Sequence, residues 1–192
     1  MVTRRIRSIL TEAGQTHQAL LGDEALLKTL AEVVDATVAV FRWGRKVLLC
    51  GNGGSAADAQ HIAAELSGRY LIERKALYAE ALHVNTSHLT AVGNDYGFEQ
   101  VYARMVEAKG REGDLLICLS TSGNSGNILR AANTAKELGL QTVAMTGSSG
   151  GKLSPICDMA LKVPSDATPR IQECHILLGH IICELVEQEL FG

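Results

Sequence analysis

Apolar positions fall along the chain in two rhythms. From Thr3 to Leu21 they recur at close to helical spacing, through Ile6, Leu10, Ala13 and Leu20. Gly22 breaks the run. Asp23 is placed to cap a second helix reaching about Trp43, in which Leu26, Leu27, Leu30, Val33, Val34, Val38 and Phe41 form a wide apolar stripe. Short, nearly continuous apolar runs then take over: Val47–Cys50, Ala79–Val84, Asp114–Ser120, Gln141–Thr146 and Met159–Val163. Runs of this kind form strands buried on both faces. Helical stretches separate them: Ala56–Leu66, Phe98–Lys109 stopped by Gly110, and Gly126–Leu138 stopped by Gly139. A long last helix runs from Arg170 to about Leu190. Asn85–Gly97 is polar and ends in Gly93-Asn94-Asp95-Tyr96-Gly97, so it reads as a turn-rich segment, and Pro164–Pro169 reads as a loop.

Strands that alternate with helices predict an α/β fold, a parallel sheet with helices on both faces. No linker, repeat or low-complexity tract interrupts the 192 residues. The expectation is therefore one domain over 1–192, with helices at 1–43 extending an α/β core at 44–192. The pattern reserves no sheet face for the two N-terminal helices. They either cover this chain's own sheet or pack against another subunit. In such folds ligands sit beyond the carboxyl ends of the strands.

Composition narrows the picture. Net charge is −3, so no basic excess favours nucleic acid; Arg4, Arg5 and Arg7 read as a solvated helix start. No run is long enough to span a bilayer, and MVTRRIRSIL lacks the apolar region of a signal peptide, so a cytoplasmic protein without membrane contact is expected. Cys50, Cys118, Cys157, Cys174 and Cys183 form no C-x-x-C pair, which fits reduced, mostly buried thiols. Cys174 has no evident base partner, so it does not read as a catalytic thiol.

The chemistry gathers in three stretches. In VLLCGNGGSAADAQHIAAE, from Val47 to Glu65, a strand runs into the turn Gly51-Asn52-Gly53-Gly54-Ser55, and Ser55 sits where a helix N-cap would fall. A strand, a glycine turn and a helix N-terminus in succession make an anion site. The turn lacks the G-x-G-x-x-G frame, which argues against a dinucleotide. His61 and Glu65 lie four apart and share a helix face, as a metal pair, as a base with its partner, or as a plain surface pair. Ser120-Thr121-Ser122-Gly123-Asn124-Ser125 follows the third strand with four hydroxyls and no lysine. It is unlike a P-loop and suits the phosphate of a small molecule better than a triphosphate, the plain alternative being a loop with a serine cap. On the last helix Gln172 and His180 are eight apart, about 80° around the axis, so they can share a side; His180 alone would equally suit a satisfied core histidine.

Taken together, GNGGSAADAQHIAAELSGRY, VGNDYGFEQ, LSTSGNSGN and RIQECHILLGH resemble the phosphoheptose isomerase family of sugar-isomerase (SIS) domains over nearly the whole chain. The resemblance implies a flavodoxin-like three-layer α/β/α sandwich with a five-stranded parallel sheet. It implies a homotetramer with sites between subunits, and conversion of sedoheptulose 7-phosphate to D-glycero-D-manno-heptose 7-phosphate through an enediol, in bacterial heptose and lipopolysaccharide precursor synthesis. By motif match it implies one zinc ion per subunit on His61, Glu65, Gln172 and His180. Substrate contacts carried over are Asn52, Gly53, Gly54, Ser55, Glu65, Arg69, Asn94, Asp95 and Gln172, with Ser120, Thr121, Ser122 and Ser125 as the phosphate cradle. Glu65 is then the base and His180 the acid. The region 147–169 receives no assignment. Two alternatives stand beside this reading: a non-catalytic SIS protein that associates with the replication initiator, and an isomerase of another sugar phosphate.

Overall fold

The computed structural model describes residues 1–192. Five strands form one sheet: β1 (Val47–Gly51), β2 (Ala79–Ala81), β3 (Leu115–Leu119), β4 (Gln141–Thr146) and β5 (Met159–Lys162). Their order is β2-β1-β3-β4-β5, and every neighbouring pair is parallel. Parallel neighbours need crossovers. Helix α3 (Gly54–Ser67) joins β1 to β2, α4 (Thr86–Tyr96) and α5 (Val101–Lys109) join β2 to β3, and α6 (Gly126–Glu137) joins β3 to β4. Helices α1 (Val2–Leu21) and α2 (Glu24–Arg42) precede the sheet, and α7 (Thr168–Phe191) follows it.

The period of two along each strand divides the interior. Val47 and Leu49 of β1 and Leu115, Ile117 and Leu119 of β3 face a core shared with α2, α3 and α7. Leu48 and Cys50, with Leu116 and Cys118, face a second core built from α4, α5 and α6. Each fully buried aliphatic side chain contributes roughly 1.5–3 kcal/mol, so both faces must be covered. The result is the expected three-layer α/β/α sandwich.

The strand order reverses at β1, which makes the edge between β1 and β3 a topological switch point. Gly51 pairs with Leu119 across that edge, so the glycine turn and the hydroxyl-rich loop leave the sheet side by side.

The N-terminal helices behave differently from one another. Leu26, Leu30, Val33, Val34, Val38 and Val40 of α2 join the chain's own core. In α1 only Thr16 and Leu20 are buried, while Ile6 and Leu10 stay exposed, and Arg170 Nη1 donates to the Ile9 carbonyl at 3.1 Å.

Several boundaries correct the sequence reading. Asn85–Gly97 is not a turn-rich segment: Asn85 caps helix α4, its side chain accepting from the His88 N–H at 3.1 Å, and Gly97 closes the helix at φ +87°. Val92 is the one buried residue of α4, so the hydrophobic pattern carried no helical signal there. Phe98–Gln100 is a 3-10 turn, and α5 begins at Val101. Only Ala79–Ala81 of the Ala79–Val84 run pairs in the sheet. Gly53, at φ +56°, is the N-cap of α3, whereas Ser55 is buried inside the first turn. Pro169 lies in the first turn of α7, where its missing N–H costs nothing.

Candidate active site

The β1–α3 turn is held from beneath. A Cβ on Gly51 would strike the Ser55 backbone, and a Cβ on Gly54 would run into the Gln172 amide. Asn52 and Asn127 exchange two amide hydrogen bonds, each of 2.9 Å. The Tyr102 hydroxyl donates to the Gly51 carbonyl. The sequence reading singled out neither Asn127 nor Tyr102. Asn127 follows directly on the hydroxyl loop, but only the neighbouring strand shows what its buried amide serves.

Helices α3 and α7 run parallel, with residues matched about 117 apart. Gly54 meets Gln172 at the top, and Ile62 packs on Gly179 one level down. That register carries His180 to His61 and Glu65. His61 Nε2 lies 2.9 Å from Glu65 Oε1, and His180 Nε2 lies 3.5 Å from the same oxygen and 3.4 Å from His61 Nε2. The donor atoms of the three residues all fall within 4.8 Å of one another. Glu65 Oε2 is buried and has no hydrogen-bond partner. Two imidazole nitrogens converge on one carboxylate whose second oxygen has no partner, and a divalent cation fits such a nitrogen and oxygen set; three protein donors leave positions open for substrate. Gln172, by contrast, lies eight residues before His180, about 12 Å along the helix axis, with its amide against Gly54.

Tyr70 stacks on His180, with ring centroids 5.7 Å apart and an interplanar angle of 28°. Burial, then the nearby Glu65 carboxylate, push the Tyr70 phenol above its ordinary value. The Cys183 thiol is pushed up by burial and by Glu65, and stays neutral. Asp58, one turn before His61, is raised by burial and lowered by His61; its Oδ2 is buried without a partner. An open hollow of about 580 Å³ fronts the cluster, lined by Ala57, Gln60, His61, Ala64, Glu65 and Arg69.

The hydroxyl loop forms a second hollow of about 250 Å³. Thr121, Ser122 and Asn124 line one side of it, and Ser148, Ser149, Ser165, Asp166 and Thr168 line the other. Ser120 is buried, its Oγ 3.2 Å from Ser125 Oγ. Ser125 is the N-cap of α6 but makes no side-chain capping bond. An uncapped helix N-terminus favours an anion, but neither Ser125 nor α6 lines this hollow, and the Glu99 carboxylate lies beside Gly126. No lysine or arginine lines this hollow. The wall supplied by residues 147–168 had no sequence signal beyond its small polar composition. Asn94 and Asp95 lie at the exposed end of α4, Asn94 Nδ2 donating to Asp95 Oδ1 at 2.8 Å, and border neither hollow.

Residues 16–147 match the SIS domain family model. Fold and family model thus define the class, a SIS-domain protein. The chain is 50% identical over 186 residues to a phosphoheptose isomerase of Aneurinibacillus thermoaerophilus, covering 97% of this chain and 94% of that protein. It superposes with a TM-score of 0.94 on a phosphoheptose isomerase structure from Francisella tularensis, at 39% identity over 98% of this chain and 99% of that one. A Neisseria gonorrhoeae phosphoheptose isomerase structure gives a TM-score of 0.92 at 40% identity, covering 98% of this chain and 100% of that one. The chain belongs to the phosphoheptose isomerase family. It is an isomerase with a small-molecule substrate, and none of its helices is long and apolar enough to cross a membrane.

Proposed function

We propose that the substrate is sedoheptulose 7-phosphate and the product D-glycero-D-manno-heptose 7-phosphate, a ketose–aldose interconversion in heptose precursor synthesis. The observation that carries this reading is the convergence of His61, Glu65 and His180 within 4.8 Å. The reaction moves a proton between C1 and C2 and reshuffles protons on their oxygens, which calls for a base and an acid at one edge of the substrate. Glu65 is the base, and His180 carries protons to and from the oxygens. Asn52, Gly53, Gly54, Ser55, Arg69, Asn94, Asp95 and Gln172 hold the sugar. Ser120, Thr121, Ser122 and Ser125 hold the phosphate.

His61, Glu65 and His180 would hold one zinc ion per subunit; the family resemblance implies Gln172 as a fourth donor, and because this chain's own Gln172 stands about 12 Å along α7 from His180, that donor would come from a neighbouring copy. When bound, the ion would act as a Lewis acid on the substrate's oxygens. The assembly is a homotetramer with sites between subunits. Glu65 lies 11 residues beyond Gly54 on α3, about 16 Å along the helix axis. An extended heptose 7-phosphate spans roughly 10 Å from C1 to phosphorus at ordinary bond lengths. A sugar anchored at the hydroxyl loop therefore falls short of its own chain's Glu65, and a neighbouring copy supplies that end. The exposed Ile6 and Leu10 of α1 supply apolar surface for such an assembly. Five free cysteines suit the reducing cytoplasm.

The test is incubation with sedoheptulose 7-phosphate, following aldose formation. Glu65→Gln and His180→Ala should each reduce turnover to background while the fold is retained. Near wild-type turnover in either variant would overturn the role assignment, and faster turnover of a shorter ketose phosphate would move the substrate. Chelation should abolish activity and added zinc restore it; full activity in metal-free protein would remove zinc from the reading.

A further inference from the structure

A second charged cluster lies behind the first, fully out of solvent. Glu187 and Arg74 form an ion pair whose side chains are each 1% exposed. Glu187 stands on α7 seven residues after His180, two helical turns on and nearly the same side. Its Oε1 accepts from the Tyr70 N–H at 2.7 Å and from Arg74 Nε at 2.8 Å; its Oε2 accepts from the Leu71 and Ile72 N–H groups at 2.7 and 2.9 Å. Burial pushes the Glu187 carboxyl up, but these N–H groups and Arg74 outweigh it and hold it below the usual carboxylate range. Arg74 then reaches back to α3. Its Nη2 donates to the Glu65 carbonyl at 2.9 Å, and its Nη1 to the carbonyls of Leu66, Gly68 and Lys75 at 2.8, 3.0 and 3.1 Å. A helix's last carbonyls have no partner of their own, so one guanidinium closes the end of α3.

Closing a loop does not by itself call for buried charges, since well-packed apolar residues often serve stability as well as a buried pair. What apolar residues cannot do is fix several backbone segments at once by direction. Here the pair grips the turn that bears Glu65 and the strand of chain that lays the Tyr70 ring on His180. We propose that Arg74 and Glu187 are positioning residues for the proton-transfer pair, setting Glu65 through its own carbonyl and His180 through the Tyr70 ring. This rests on the reading of His61, Glu65 and His180 as the reacting and zinc-holding cluster. Arg74 is not replaceable by lysine in this role, because only the planar fork of a guanidinium spans these acceptors together.

The test measures zinc affinity by chelator competition, and kcat and KM separately, on folded tetramer of wild type, Glu187→Gln, Arg74→Lys, Tyr70→Leu and Tyr70→Phe. Partners that orient metal ligands are typically worth 10–100-fold. Glu187→Gln and Arg74→Lys should therefore lose about 10–100-fold in both zinc affinity and kcat, with KM changed by less than about threefold. Tyr70→Leu leaves every bond of the ion pair in place and should show the same signature more weakly; Tyr70→Phe, which keeps the ring, should restore it. If Glu187→Gln does not fold, Tyr70→Leu carries the test. A folded Glu187→Gln or Tyr70→Leu with zinc affinity and kcat within about twofold of wild type overturns the proposal. A failure of the heptose reading looks different: wild type itself would not turn over sedoheptulose 7-phosphate, while the zinc affinities would still rank the variants.

Discussion

Substituting Gly179 by alanine tests the contact on which the cluster depends. The added Cβ would sit 2.5 Å from Ile62 Cδ1 and 2.7 Å from Ile62 Cγ1. Carbon atoms rest about 3.5–4.0 Å apart, and Ile62 is 1% exposed in a packed core, so neither side has room. Helix α7 must back away from α3 by about 1 Å. Overpacking of this kind costs typically 1–3 kcal/mol, and alanine returns about 1 kcal/mol in helix propensity. The net expectation is a loss of about 1 kcal/mol, read from urea denaturation. The effect on the cluster should be larger. His180 is the next residue, and the same shift would carry its Nε2 from 3.5 Å toward about 4.5 Å from Glu65 Oε1. Metal donors tolerate about ±0.2 Å, so zinc affinity by chelator competition should fall at least about tenfold. Ile62→Ala removes both clashing atoms, and the double variant should recover affinity relative to Gly179→Ala. A Gly179→Ala protein that is more stable by about 1 kcal/mol, with unchanged zinc binding, would show that propensity alone operates and refute the packing argument.

Other outcomes follow from single sites. Burial lowers the imidazole of His175 from 6.5 to about 4, against a small opposing effect of its contact with the Thr146 carbonyl. The unfolded chain takes up this proton below about pH 6.5 and the folded protein only near 4, so stability is lost as pH falls through that window, by about 3 kcal/mol in total. His175→Phe removes the titrating group and should flatten the dependence of stability on pH, the Thr146 carbonyl keeping its bond from the Val163 N–H at 2.9 Å; an equal loss of unfolding free energy between about pH 7 and 4.5 in wild type and variant, read from urea titrations, would clear His175. His83, also lowered by burial, contributes a remainder of the same sign. Asn127→Ala strips Asn52 of both amide bonds, which should cost about 1–3 kcal/mol and raise KM more than it lowers kcat; an unchanged KM would show that Asn52 keeps its pose unaided.

Much of this molecule was legible in order along the chain. The five strands stand out as short, nearly continuous apolar runs, and the α3, α6 and α7 regions as helix-forming stretches set off from them by glycine, proline and polar turns. The two polar turns stand out because small and hydroxyl residues follow buried strands directly, and the parallel topology then places them on one edge. Helix α4 was illegible: with one buried residue and a capping asparagine, it is held by its ends rather than by an apolar stripe. His61 and Glu65 were legible as neighbours, since four residues make one helical turn.

Their meeting with His180 was not legible from spacing, because 119 residues separate His61 from His180. It depends on Ile62 seating against Gly179, a register that periodicity within either helix leaves free. The same holds for Asn52 with Asn127, and for Arg74 with Glu187. Local sequence fixes which face each element buries and where it turns. Only close packing between elements decides which buried face slides to which, and so which distant polar groups become partners.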